Sequence, residues 1–286
     1  MKKIFTNKEI VVYIPSFNCE DYIENVLINI PSELHNIIDC LIIDNCSTDG
    51  SVSKITNLLN KKTLPFHIAL IKTKYNLGYS GSQKLAYSLV QKSKNAKKII
   101  MLHGDGQYPP CLLSKLQPYF SSTVAIVYGY RSKKIYKNRE ETPFLTYLVV
   151  KLLNSIENIC TGFKFKEWHS GFVMYSVNFL KSIPLNKLTK TRHIDGEILM
   201  CAGELQEKVI PIPIYKRYKE YVGFGGLSLI KYVGLHVPTV IIKNIKGHHK
   251  KILSHHNKHI NINIYDNYKI IEIYRPSLKL KENNEY

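Results

Sequence analysis

An α/β fold, a layered sheet with helices on both faces, is predicted by three observations in the first half of the chain. Short apolar runs alternate with helical patterns. Each run breaks into glycine, proline or small polar residues, and the side chains able to do chemistry collect after the runs rather than within them. That order implies βαβ units and a mostly parallel sheet whose ligands sit beyond the carboxyl ends of the strands.

Ile10-Val11-Val12-Tyr13-Ile14 reads as the first strand, stopped by Pro15-Ser16-Phe17-Asn18, and Asp21 to Ile30 as a helix ending before Pro31. Cys40 to Ile43 is the second strand, followed by the turn Asp44 to Gly50 and a helix through Leu59. Ile68 to Ile71 forms the third strand and Gly81 to Lys92 a helix; Ile99 to Leu102 and Val124 to Tyr128 form the fourth and fifth strands. Arg131 to about Thr142 is basic and irregular, and Pro143 to Ile159 is helical in pattern. From Gly247 on, Lys, His and Asn dominate, which predicts a solvated tail including His248, His249, His255, His256 and His259.

With 286 residues, 44% of them hydrophobic, the chain is long enough for one large domain, or one domain with an appendage. A formal charge of +18 predicts attraction to anions, namely phosphorylated substrates or an anionic membrane face. The basic residues are dispersed and no nucleic-acid motif is present, so nucleic acid is not an expected partner. Six cysteines without CxxC or zinc spacing read as reduced, mostly buried thiols. The segment Met1 to Ile10 is basic without an apolar signal core, which together with the thiols predicts a cytoplasmic protein. Val222 to Lys243, broken by Lys231, His236 and Pro238, suits a membrane interface better than a span.

The richest stretch is His103-Gly104-Asp105-Gly106-Gln107-Tyr108-Pro109-Pro110, directly after the fourth strand. A carboxylate and an amide oxygen in flexible backbone at a strand end, Asp105 and Gln107, suit a hard divalent ion that holds a diphosphate. At the first strand end a nucleotide could stack on Phe17, although Pro15 to Asn18 also fits a plain turn. At the second, Asp44 could accept a hydrogen bond from a base imide or a ribose hydroxyl, while Asp49 fits a helix cap. After the third, Asn76 to Lys84 allows close backbone approach, with Lys84 facing a phosphate or simply solvent. Asp195 and Glu197 flank Gly196; Asp195 is the better candidate to take a proton from an acceptor hydroxyl, and Glu197 fits a structural or positioning role.

Together, V-V-Y-I-P-S-F-N at 11–18, I-I-D-N-C-S-T-D-G at 42–50, N-L-G at 76–78, H-G-D-G-Q-Y-P-P at 103–110, G-Y-R at 129–131, H-S-G-F at 169–172 and I-D-G-E-I at 194–198 resemble the family 2 glycosyltransferases. These have the glycosyltransferase A fold, and the likeness is strongest to the branch with the dolichyl-phosphate mannose and glucose synthases. The resemblance covers a catalytic domain at 1–220; an amphipathic segment at 221–246, suited to a membrane surface, and a basic, polar tail at 247–286 are read from the residues themselves. It implies a nucleotide-sugar donor bound by Pro15, Phe17, Asp44, Asn45, Lys84, His103, Asp105 and Arg131, with Asp105 and Gln107 holding Mg2+ or Mn2+. Lys133, Lys134 or Arg139 would join Arg131 on a phosphate. His169, Ser170 and Gly171 would line the acceptor side, Asp195 would act as base, and Trp168 would be a stacking surface or a core residue. The acceptor would be a polyprenyl phosphate or a glycan, in cell-surface glycan or glycolipid synthesis at the inner face of the membrane. Two departures stand out: His103 replaces the first acid of the common D-x-D pattern, and Asn45 the second acid of the common D-D turn. The rival readings are a sugar-1-phosphate nucleotidyltransferase, disfavoured because no G-x-G-x-R-type loop follows the first strand, and a non-catalytic basic module that binds membrane or nucleic acid.

Overall fold

The computed structural model describes residues 4–132, 144–218, 226–256 and 268–276. In chain order these form β1 (Ile10–Ser16), α1 (Ile23–Ile28), β2 (Ile38–Asp44), α2 (Ser51–Asn60), β3 (His67–Thr73), α3 (Gly78–Gln91), β4 (Lys98–Met101) and β5 (Ile126–Arg131). There follow α4 (Phe144–Thr161), β6 (Val173–Ser176), α5 (Val177–Lys181), α6 (Ile194–Glu204), β7 (Val209–Ile214), α7 (Gly226–Lys231), α8 (Val237–Ile245), α9 (His248–Ser254) and β8 (Tyr268–Tyr274). A 3-10 segment, Pro110–Tyr119, links β4 to β5, and a π turn, Tyr232–His236, links α7 to α8.

One sheet of eight strands runs through the molecule in the order β7-β5-β6-β4-β1-β2-β3-β8. β1 pairs in parallel with both β2 and β4, and β2 with β3. Their apolar runs are continuous because both faces are covered. Val11 and Tyr13 of β1 enter a core with α3, α6 and α8, while Ile10, Val12 and Ile14 enter a second core with α1, α2 and the 3-10 segment.

The sheet is mixed rather than mostly parallel. β6 inserts antiparallel between β4 and β5, and β8 adds antiparallel to β3 at the edge. β8 and α9 both lie in the stretch read from sequence as a solvated tail. Tyr274 of β8 is buried and donates its hydroxyl to Leu64 O at 2.7 Å, and α9 buries His249 and Ile252. Of the six cysteines, all unpaired, Cys19, Cys40 and Cys201 are buried and Cys46, Cys111 and Cys160 are not.

Two antiparallel steps, β4 to β6 and β6 to β5, restore the direction, so β5 and its parallel partner β7 point the same way as β1 to β4. The ends Ser16, Asp44, Thr73, Met101, Arg131 and Ile214 therefore share one rim of the sheet, and β6 begins there at Val173. Among the described residues no helix is long and apolar enough to cross a membrane.

Candidate active site

At the β2 end, Asp44 is fully buried. Its Oδ2 accepts the Ser47 N–H at 3.1 Å, but its Oδ1 has no hydrogen-bond partner. A buried acceptor left unmade costs about 1–3 kcal/mol, which a ligand N–H or O–H would recover. Phe17, next to it on the rim, is 47% exposed. Asn18 sits at φ 51 and accepts the Thr48 N–H at 3.0 Å, so it fastens the β1 loop to the β2 loop instead of capping a helix.

Asn45 lies beside Asp44, but its side chain is committed within the protein. Its Oδ1 accepts the Leu77 N–H at 2.8 Å, and its Nδ2 donates to Asn76 Oδ1 at 3.0 Å and Gly78 O at 3.3 Å. It straps the start of α3 to the sheet. An amide suits that place, because it must present a donor and an acceptor at once.

Beyond β4, Gly106 at φ +71 turns the chain so that Asp105 Oδ1 accepts the Gln107 N–H at 3.0 Å. Gln107 O in turn accepts the Arg217 N–H at 2.9 Å, which ties the strand end to the segment after β7. Asp105 Oδ2 lies 4.0 Å from His103 Nδ1. The His103 ring is packed between those of Tyr79 and Tyr108, at 5.9 and 5.2 Å. A Cβ on Gly171 would come within 2.5 Å of His103 Nε2, so glycine lets the loop at Ser170 to Phe172 lie against this imidazole. Burial above all lowers the His103 pKa, with Asp105 pulling the other way, so the ring is neutral at pH 7. Asp105 and a neutral imidazole nitrogen suit a divalent cation shared with a diphosphate. Among the described residues no three His, Cys, Asp or Glu are placed to hold a metal ion.

Arg131, at the β5 end, donates through Nε to Glu167 Oε1 at 2.7 Å and through Nη1 to the Tyr218 hydroxyl at 2.8 Å. Burial works against its charge, but Glu167 outweighs this and raises the pKa. Nearby, the Lys216 ammonium lies 5.2 Å from the Tyr108 ring centroid and 5.3 Å from that of Tyr218. The contact of its segment with Gln107 puts Lys216 at the rim. Lys84 is not brought to this group. Its Nζ donates to Leu188 O at 2.7 Å, and burial lowers its pKa to about 8 against the pull of Glu197. Lys133, Lys134 and Arg139 lie outside the described residues.

Asp195, in the first turn of α6, is buried below the rim. Its Oδ2 accepts from the Tyr79 hydroxyl at 2.8 Å and Gln83 Nε2 at 3.2 Å, and its Oδ1 from the Tyr175 hydroxyl at 3.1 Å. A carboxylate has about four acceptor positions, so three donors orient it and leave one open. Burial raises its pKa, and the three donors offset part of that rise.

His169, expected on the acceptor side, belongs to a cluster that sequence reasoning missed. The Nε2 atoms of His169 and His193 approach the Glu157 carboxylate at 2.9 and 2.7 Å, and both Nδ1 atoms lie 2.9 Å from the Tyr232 hydroxyl. Two imidazoles from separate segments thus meet on one buried carboxylate, and the Tyr232 hydroxyl joins their far sides. The signal for it in the sequence was Glu157, the one acid in this helix. Ser170 is buried beside this loop, and its hydroxyl contacts only the backbone of Phe172. Trp168 is fully buried, donating to Asn158 Oδ1 at 2.9 Å. Glu197 accepts from Thr189 N–H and contacts His249 Nε2 at 3.0 Å, which fixes α9 to α6.

The model of the family described as Glycosyl transferase family 2 matches residues 11–183. No curated protein matches the chain significantly. Among solved structures, glucosyl-3-phosphoglycerate synthase from Mycobacterium tuberculosis in complex with Mn2+, UDP and phosphoglyceric acid superposes with a TM-score of 0.61 at 12% identity, covering 83% of this chain and 78% of that one. The same enzyme with Mg2+ and UDP gives 0.60 at 14% identity, with coverages of 84% and 80%. With UDP it gives 0.59 at 12% identity over 94% and 90%. At such identities the likeness is one of fold.

Proposed function

The chain belongs to glycosyl transferase family 2 and is thus a nucleotide-sugar-dependent glycosyltransferase, and from that premise we propose that it moves a sugar from a uridine diphosphate donor to a glycan hydroxyl with inversion. The observation that carries the reading is the unpartnered, buried Asp44 Oδ1 on the rim that also bears Asp105. A uracil imide N–H would donate to Asp44, with Phe17 against the base or ribose. The UDP bound in the M. tuberculosis structures supports this choice of base.

Asp105, with His103 or Gln107 beside it, would hold Mn2+ or Mg2+ against the diphosphate. Such an ion, when bound, neutralises the charge that builds on the leaving group. Lys216 adds positive charge at the same rim, where the Arg131 charge is paired with Glu167. The acceptor oxygen attacks the anomeric carbon as the bond to the diphosphate oxygen breaks, and its proton passes to the open position of Asp195. A raised pKa suits a carboxylate for that transfer.

Lys216 favours a second acceptor, a polyprenyl phosphate. Its oxygen is already a nucleophile, and Asp195 would then only orient the sugar. The two are separated by Asp195→Asn, which abolishes transfer to a hydroxyl but spares transfer to a phosphate. The first reading is tested by a thermal-shift screen of UDP- and GDP-sugars with and without Mn2+. A Tm rise with UDP-sugars supports it; no rise with any nucleotide sugar refutes it.

A further inference from the structure

α4 is an inside-out helix. A surface helix ordinarily buries its apolar stripe and shows polar residues to water. Here Asn154 and Glu157 are buried, while Phe144, Leu148, Val149, Leu152, Ile156 and Ile159 are exposed, Leu152 at 62% and Ile159 at 81%. At 100° per residue these six fall within less than half the helix circumference, so they form one face. The inward polar residues have structural work. Glu157 meets His169 and His193, and Asn154 accepts the Trp168 N–H at 3.0 Å.

α8 packs against α4 and is itself apolar outward, through Ile242 and Ile245. α7 and the π turn that precede it expose Leu229, Ile230 and Leu235. An exposed apolar surface of this extent marks an interaction site. Its charge is one-sided. Residues 226–256 contain no Asp or Glu but include Lys231, Lys243, Lys246 and Lys251, besides Lys250, which faces Glu204 of α6; α4 adds exposed Lys151, and its one acid, Glu157, is buried.

We propose that the outward faces of α4, α7 and α8 dock the enzyme on an anionic lipid bilayer, with α4 as the principal insertion element. Apolar side chains would enter the headgroup boundary while the lysines meet lipid phosphates. Because Glu157 on the inner face of α4 holds the acceptor-side loop through His169, a docked α4 sets that loop at the membrane. This deepens the reading of a lipid-linked acceptor and rests on it only for its purpose, not for the binding itself.

The test is flotation of the full chain with phosphatidylcholine vesicles and with vesicles that also contain phosphatidylglycerol. The expected result is binding to the mixed vesicles that weakens in high salt, and that falls at least about tenfold in Leu152→Glu/Ile159→Glu. Both positions are exposed, and an unchanged far-UV circular dichroism spectrum and Tm confirm that the variant folds. No flotation of the wild type with anionic vesicles overturns the proposal, as does equal flotation of the variant. A wild-type dimer in size exclusion that the variant breaks, without lipid binding, assigns the face to a second copy and also overturns it. No donor or metal is needed, so these outcomes stand apart from those of the nucleotide-sugar screen.

Discussion

Asp195 shows how a buried carboxylate is prepared for proton transfer by its neighbours. Desolvation raises its pKa, and the Tyr79, Gln83 and Tyr175 donors favour the charged form and bring it partly back. Removing one donor therefore raises the pKa further. In Tyr79→Phe, the acid limb of the kcat profile for a hydroxyl acceptor is expected to move up by about one pH unit, the worth of one hydrogen bond to a charged group. A limb that stays in place, measured over a pH series with saturating donor, would show that Asp195 is not the titrating base. His103 is the other residue with a decided environment. Two tyrosine rings and Gly171 enclose it, and its protonation is suppressed, so it stands beside Asp105 as a neutral group where the family commonly has an acid.

The element that most depends on a departure from the family pattern is α3. Asn45 holds its first turn by accepting from Leu77 N–H and donating to Asn76 Oδ1 and Gly78 O. Asp at this position would set a carboxylate oxygen against two acceptors. Asn45→Asp is therefore expected to destabilise the fold by about 1–3 kcal/mol, read from the urea midpoint; an unchanged midpoint would mean that the strap carries no weight. This role was not legible in the sequence, where Asn45 looked only like a lost acid. β1, β2 and β4 were legible because strands buried on both faces are written as unbroken apolar runs. β6 and β8 were not. β6 is only Val173–Ser176, and β8, on the sheet edge, mixes Tyr, Lys and Glu into its alternation. The Glu157 cluster was hidden for a different reason. Its members, at 157, 169, 193 and 232, come from four separate stretches of chain that only the topology brings together.

Over the whole molecule, pH bears on stability through Glu157, the carboxylate that His169 and His193 share. Burial raises its pKa, but the facing imidazoles, His169 first, outweigh this and bring it from 4.5 down to about 2. A carboxyl whose folded pKa lies below its unfolded one stabilises the fold above the unfolded value and loses that contribution as pH falls through the folded one. Stability is thus expected to fall by about 3 kcal/mol between pH 4.5 and 2 through this group, by the size of the shift. Glu157→Gln should be less stable at pH 7 and show a flatter loss on acidification, measured as urea midpoints along a pH series. Equal slopes in the two proteins would exclude Glu157 as the acid-sensitive group. The shared rim that carries Asp44, Asp105 and Arg131 at or just beyond strand ends was legible as a principle, since parallel strands carry their ligands at their carboxyl ends. Which side chains stay open to a ligand was not, because that depends on partners distant in sequence, as Lys84 on Leu188 O and Asn45 on Leu77 N–H show. What most directly tests a nucleotide site at this rim is calorimetric titration of UDP into the wild type and Asp44→Ala, with Mn2+ present. The expected result is saturable binding by the wild type and a loss of at least about tenfold in Asp44→Ala, the worth of one hydrogen bond to a charged acceptor. Equal affinity in the two proteins, or no heat with the wild type, would contradict it.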